Sequence, residues 1–161
     1  MNRLDGKIAF LSGAARGIGA ETARLMVEAG AKVAIGDLLD ERGRETVRAL
    51  EAAGGQALYV HLDVARADDW AAAVATVIAR FGGLDILVNN AGVFIAKGIE
   101  ESTAADWEQL CGVNSPACSL ARRWLCRRCA NAAPRARRAA LLSICHRSRA
   151  WSAQRWPRFI L

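Results

Sequence analysis

The last 47 residues of this 161-residue chain contain no glycine, no lysine, no tyrosine and no acidic side chain. The first 114 contain no proline and only one of the five cysteines. Charge divides at the same place. Residues 1–114 carry 11 basic and 16 acidic side chains, a net −5, whereas residues 115–161 carry 11 arginines and a net +11. The overall +6 therefore belongs to the tail and does not mark the front part as a binder of acidic partners. Five cysteines, an odd number without regular spacing, fit a reducing compartment, the cytoplasm, better than a secreted disulfide scaffold. Met1 to Gly6 is polar and the apolar run Ile8–Leu11 is too short for a signal peptide. No stretch approaches the roughly 20 apolar residues that span a bilayer, so no membrane partner is expected.

Residues 1–114 alternate strands and helices. Lys7–Ser12 and Lys32–Asp37 are short apolar runs of the buried-strand kind, followed by Ala57–Asp63 and Leu84–Asn89. Between them, helical stripes run from Gly17 to Gly30, over Asp40–Ala53 with Gly54-Gly55 beyond, and over Ala67–Phe81 with Gly82-Gly83 beyond. A further helix starts near Thr103, with Ser102 or Thr103 as its cap, and reaches at least Cys111. Four strands alternating with helices predict an α/β, doubly wound, parallel sheet. The tail keeps neither period, and Ala139–Ile144 is its one apolar run.

Gly13, Gly17 and Gly19 fall in the turn between the first strand and the first helix, with Arg16 and Ile18 among them. Glycines at that point allow a tight turn and let backbone N–H groups approach a pyrophosphate at a helix N-terminus. Asp37 ends the second strand, 18 residues beyond Gly19. A carboxylate there accepts ribose hydroxyls and repels a 2′-phosphate, which favours NAD over NADP. The alternative role for Asp37 is a helix cap, and Arg16 is a cation that pulls toward a 2′-phosphate.

With Asp63-Val64 after the third strand and Asn89-Asn90-Ala91-Gly92 after the fourth, residues 1–114 resemble the short-chain dehydrogenase/reductase family, its hydroxysteroid dehydrogenase branch in particular. The family glycine motif falls on Gly13, Gly17 and Gly19, with Ser12 where threonine is common. The resemblance implies a Rossmann-type fold, NAD, and a secondary alcohol or ketone as substrate. It implies adenine contacts at Asp63 and Val64, cofactor contacts at Asn90, Ala91 and Gly92, and a catalytic role for Asn114 of Val113-Asn114 in a water-linked proton path. Members are usually homo-oligomers, and this chain lacks the helices for that assembly.

The family's proton-transfer set, a serine followed thirteen residues later by Tyr-x-x-x-Lys, is missing. The one tyrosine is Tyr59, in the third strand, and the last lysine is Lys97. The resemblance therefore stops within the helix after the fourth strand, leaving 1–114 as a nucleotide-binding part and 115–161 as no domain. The genetic code gives a reason. In the neighbouring frame each codon joins the third base of one residue to the first two of the next. Permitted codons from Asn114 to Ala133 then spell LTGVFAGTKMALPAMRERG, and from Ser143 to Ile160 DMSSIAGLVGTAVAPVY. Trp156-Pro157 must give alanine, and Phe159-Ile160 can give only tyrosine or histidine. The serine spelled across His146-Arg147 precedes that tyrosine by the family's thirteen positions. Loss of one base near the Asn114 codon accounts for the tail, and makes this chain an inactive one.

The other class of function is a noncatalytic nucleotide-binding fragment with a basic tail. Cys126, Cys129, Cys145 and His146 have some zinc-ligand character, although adjacent ligands at the second pair suit a tetrahedral site poorly. Arginines among Trp124, Trp151 and Trp156 suit a single-stranded nucleic acid. Codon bias explains the same composition, so neither a metal nor a nucleic acid is expected. His61 reads as a packed or edge residue, and Trp70 and Trp107 as core or groove-facing. Without in-frame sequence, the fourth strand is expected to be an exposed, aggregation-prone edge.

Overall fold

The computed structural model describes residues 4–115 and, as backbone, 140–143. Strands β1 (Ile8–Ser12), β2 (Lys32–Asp37), β3 (Gln56–His61) and β4 (Ile86–Asn89) alternate with helices α1 (Gly17–Glu28), α2 (Asp40–Ala52) and α3 (Ala67–Phe81). A fourth helix, α4, covers residues 104–115, and β5 is Ala140–Ser143. The strands form one sheet in the order β3-β2-β1-β4-β5, every pair parallel. This is the expected doubly wound Rossmann-type architecture.

Period-2 alternation sends the two faces of β1 into two cores. Phe10 packs with Leu62, Trp70, Val77 and Leu87 on the α3 side, and Leu11 packs with Ala23, Val33, Ile35 and Val88 on the α1/α2 side. Trp70 is fully buried, meets Phe10 edge-on at 5.9 Å, and donates its indole N–H to the Val64 carbonyl at 3.0 Å. Trp107 departs from the core or groove position expected for it. It is 69 % exposed on the outer face of α4.

Helix ends follow local chemistry. Gly82 closes α3 in the left-handed region, φ 91°, with its N–H on the Ile78 carbonyl. Thr103 caps α4: its N–H donates to Asp106 Oδ2 at 2.9 Å, and its Oγ1 accepts the Asp106 N–H at 3.2 Å. Lys97 Nζ lies 2.8 Å from both Asp106 oxygens, and these contacts hold the Asp106 carboxyl down to about 2.

Three strands differ from the sequence expectation: β1 begins at Ile8 rather than Lys7, β3 is Gln56–His61 rather than Ala57–Asp63, and β4 begins at Ile86 rather than Leu84. β3 ends at His61 because Asp63 turns the chain, its Oδ1 accepting the Ala65 N–H at 2.9 Å. β4 begins at Ile86 because Asp85 pairs with β1 partly through its side chain, Oδ2 accepting the Ile8 N–H. A larger correction concerns the sheet edge. β4 is not exposed: β5 pairs with it in register from Ile86↔Ala140 to Asn89↔Ser143. Burying the tail's arginines in that slot would be costly, but Ala-Leu-Leu-Ser carries no charge to bury.

The strand order reverses at β1, which has β2 on one side and β4 on the other. In such sheets a crevice opens beyond the carboxyl ends of the strands at that point.

Candidate functional site

Three loops leave the carboxyl ends of β1, β2 and β4 and are bonded into one unit. Gly13 donates its N–H to the Gly36 carbonyl at 2.7 Å. Asn90 Nδ2 donates to the carbonyls of Gly13, at 2.7 Å, and Ser12, at 3.2 Å. In return the Ser12 hydroxyl oxygen accepts the N–H groups of Asn90 and Ala91, at 3.2 and 3.3 Å. Ser12 is completely buried, so its hydroxyl replaces solvent for two backbone donors that would otherwise be unpaired.

The motif glycines are required for separate reasons. Gly13 has φ +65°, and a Cβ on it would lie 2.6 Å from Ala91 Cα. Gly17 has open space around it but φ +59°, a conformation that side chains resist. A Cβ on Gly19 would lie 2.4 Å from the Gly13 carbonyl oxygen. The turn is thus a cradle that any side chain would strain or fill.

Asp37 reaches across this turn from the end of β2. Its Oδ2 accepts the Ala15 N–H at 3.0 Å and its Oδ1 accepts the Leu39 N–H at 3.1 Å. The turn that leads into α2 and the polar end of the cleft are therefore served by one carboxylate. Each oxygen keeps acceptor capacity for a hydroxyl.

Together these loops enclose a cleft of about 400 Å³. Gly13, Arg16, Gly17, Ile18 and Gly19 form its floor, Asp37 its polar end, and Val64 with Asn90, Ala91 and Gly92 its far wall. Leu38, Leu39, Leu62, Val93 and Val113 line it as well, and sequence reading missed them. The Leu38-Leu39 pair carried a signal, two leucines directly after the ribose-type acid. They are 57 and 42 % exposed, where a surface position gives apolar residues no packing reason to be.

Two expected site residues stand outside the lining. The Asp63 carboxylate is turned into the cap of Ala65, while its neighbour Val64 faces the cleft. Asn114, on α4, is bonded at both ends to one residue: its Oδ1 accepts the Val93 N–H at 3.0 Å and its Nδ2 donates to the Val93 carbonyl at 3.2 Å. It fixes the wall after β4.

Tyr59 is held away from the cleft, its ring against Gly43 and its hydroxyl shared between the Asp37 carbonyl, at 2.7 Å, and Asp40 Oδ1, at 2.6 Å. Partial burial and the Asp40 charge push its phenol far above the ordinary range. His61 Nδ1 lies 2.7 Å from the same Asp40 oxygen, which raises the imidazole pKa. Hydrogen bonds from Tyr59 and His61 lower that of Asp40. His61 is thus an edge residue, as expected, with a specific partner. Cys126, Cys129, Cys145, His146 and the tail tryptophans lie outside the described residues. Among the described residues no group of three or more metal-ligating side chains gathers, and no helix is long and apolar enough to cross a membrane.

The residues present fit a dinucleotide. The glycine cradle at the N-terminus of α1 suits a pyrophosphate, Asp37 suits ribose hydroxyls, and Leu62 and Val64 give an apolar wall for a base. Fold and site together define a doubly wound α/β domain of the dinucleotide-binding class.

The chain belongs to the short chain dehydrogenase family, whose model matches residues 7–134. Over 112 residues it is 48% identical to a 3-alpha-(or 20-beta)-hydroxysteroid dehydrogenase of Mycobacterium tuberculosis, covering 70% of this chain and 42% of that protein. Over 119 residues it is 44% identical to a 2,5-dichloro-2,5-cyclohexadiene-1,4-diol dehydrogenase of Sphingobium indicum, covering 74% and 48%. The chain thus matches under half the length of these curated relatives. Among solved structures it is similar to a 3-ketoacyl-(acyl-carrier-protein) reductase from Brucella melitensis complexed with NADH. That match has a TM-score of 0.79 and 30% identity, over 87% of this chain and 57% of the other. Members of the family are oxidoreductases that bind NAD(P) and act on CH–OH groups.

Proposed function

We propose that this chain carries the cofactor-binding half of an NAD-dependent oxidoreductase for a secondary alcohol or ketone, of hydroxysteroid-like type, in the cytoplasm. The observation that carries it is the Asp37 carboxylate, placed across the glycine turn by the Ala15 N–H. NAD supplies hydride exchange at its nicotinamide ring. In this chain Gly13, Gly17 and Gly19 would hold the pyrophosphate, Asp37 the adenosine ribose, and Asn90, Ala91 and Gly92 the wall beside the nicotinamide half. Asp63 would support the adenine end through the turn that presents Val64. Asn114 would shape the wall at Val93 and, in a complete enzyme, lead a proton path.

The 161-residue chain itself is read as a binder without turnover. A proton donor has to lie within hydrogen-bond reach of the reacting oxygen, and its pKa has to be near the working pH. Tyr59 meets neither condition. We attribute the missing serine and Tyr-x-x-x-Lys to a one-base slip near the Asn114 codon, with 1–114 as the nucleotide-binding part and 115–161 as no domain of its own, although the family match runs on to residue 134.

Calorimetric titration with NAD and NADP, and steady-state assays on secondary alcohols and steroids, test this. Weak NAD binding without turnover is expected, with activity gained when one base is restored and translation continues in the new frame. Turnover by the unrepaired chain, abolished by an Asn114 substitution, would overturn the proposal. So would DNA that reads in frame across Asn114 without codons for the missing motif.

A further inference from the structure

Helical threonines commonly return their hydroxyl to their own helix. Thr22 and Thr76 do so, donating to the carbonyls four residues earlier, Ile18 at 2.8 Å and Ala72 at 2.9 Å. Thr46, on α2, does not. Its hydroxyl crosses to the glycine turn and donates to the Ala15 carbonyl at 2.8 Å, 31 residues away in sequence. Thr46 is not part of the cleft lining.

Ala15 is thereby held on both sides. Its N–H donates to Asp37 Oδ2 and its carbonyl accepts from Thr46, while its side chain is buried. Upstream, Gly13 is held by Gly36 and Asn90. Downstream, Arg16 is the N-cap of α1 with no side-chain cap bond, its carbonyl accepting the Ala20 N–H at 3.4 Å, and Gly17 follows at φ +59°. The Thr46 bond is therefore the last side-chain bond to the backbone of the turn before the Arg16 and Gly17 amides.

We propose that Thr46 is a positioning residue for this turn, fixing the Ala15 carbonyl so that the Arg16 and Gly17 amides are aimed at the pyrophosphate of the cofactor. The ligand part rests on the cofactor assignment above; the clamp itself does not. Rotation of the Ala15–Arg16 peptide changes the direction of the Arg16 N–H and the entry angle of Gly17. Removing the hydroxyl donor frees that rotation without touching any atom of the cleft.

The test uses the full chain and three variants: Thr46→Val, which keeps the shape and removes the donor, Thr46→Ser, which keeps the donor, and Thr46→Ala, which removes both. Amide hydrogen exchange without ligand is read for residues 13–18, with β1 to β3 as the internal control. Exchange in the turn should rise about fivefold or more in Thr46→Val and Thr46→Ala, and stay near wild type in Thr46→Ser, with the strands unchanged. By titration, NAD affinity should fall about five- to tenfold in Thr46→Val, and adenosine affinity should change less than about twofold. Equal turn exchange in Thr46→Ser and Thr46→Ala would overturn the clamp, even if Thr46→Val loosens the whole domain. Wild-type turn exchange in Thr46→Val would overturn it too. Equal losses of NAD and adenosine would overturn the pyrophosphate role. A wild-type chain that bound no NAD would instead sink the cofactor assignment, and exchange alone would then decide the clamp.

Discussion

The side-chain amide of Asn90 lies 2.7 Å from the carbonyl oxygen of Gly13, so the end of β4 closes directly on the first turn after β1. The same nitrogen reaches the Ser12 carbonyl, and a Cβ on Gly19 would lie 2.6 Å from it. One amide thus occupies the space that the last motif glycine leaves open. Asn90→Leu would strand two carbonyls in a buried place and should cost about 1–3 kcal/mol, read as a lower midpoint in urea unfolding. An unchanged midpoint would show that the loops hold without this link.

Asp37 is expected to set cofactor choice. Asp37→Ala should narrow or invert the preference for NAD over NADP in paired titrations. Because the carboxylate also holds the Ala15 and Leu39 N–H groups, affinity for both nucleotides should fall as well. A wild-type chain binding NADP at least as tightly as NAD would show that Arg16 dominates.

Trp70 couples the core to the cleft, since its indole N–H holds the carbonyl of Val64, a lining residue. Trp70→Phe keeps most of the ring contact with Phe10 and loses that bond, with an expected cost of about 1–3 kcal/mol. Trp70→Ala empties the site and should cost about 3–5 kcal/mol. Equal midpoints for the two variants would show that the hydrogen bond, not packing, accounts for the whole effect.

His61 gives stability an acid-side component. Its pKa is raised by Asp40, so the folded state binds the proton more tightly than the unfolded one. That contribution is complete below the ordinary histidine value of 6.5 and disappears as pH rises through the folded-state value. Asp40 works in the opposite window, its contribution present above 3.8 and lost as pH falls through its lowered value. Both side chains are about half exposed, so the effect is small and sensitive to salt. The difference in melting temperature between wild type and His61→Gln should shrink from pH 6 to pH 8.5. A difference that is constant over this range would remove the pair as its source.

Gly13→Ala should abolish nucleotide binding, because both the positive φ and the 2.6 Å approach to Ala91 Cα oppose it. Gly17→Ala meets only the dihedral cost and should retain measurable, weakened binding in the same titration. Identical behaviour would mean that close packing against Ala91 contributes nothing.

The sequence by itself determined the repeating elements and the identity of the floor of the site. Runs such as Lys32–Asp37 and Ala67–Phe81 fall on their strand and helix to the residue, because burial period and glycine punctuation are local properties. Gly13, Gly17, Gly19 and Asp37 were legible for the same reason, as turn glycines and a strand-end acid, while Asn90 was reached through the family resemblance; all five line the cleft. Tertiary structure decided what depends on partners distant in sequence. Trp107 has helical spacing but is left exposed among the described residues, and Asp63 spends its carboxylate on a turn rather than on the cleft. Thr46 has no motif, since its significance is a bond spanning 31 residues. Nor could composition show that Ala140–Ser143 lies beside β4. An unpaired strand edge accepts any short uncharged segment that satisfies its backbone, and that choice is made by hydrogen bonding in the assembled sheet.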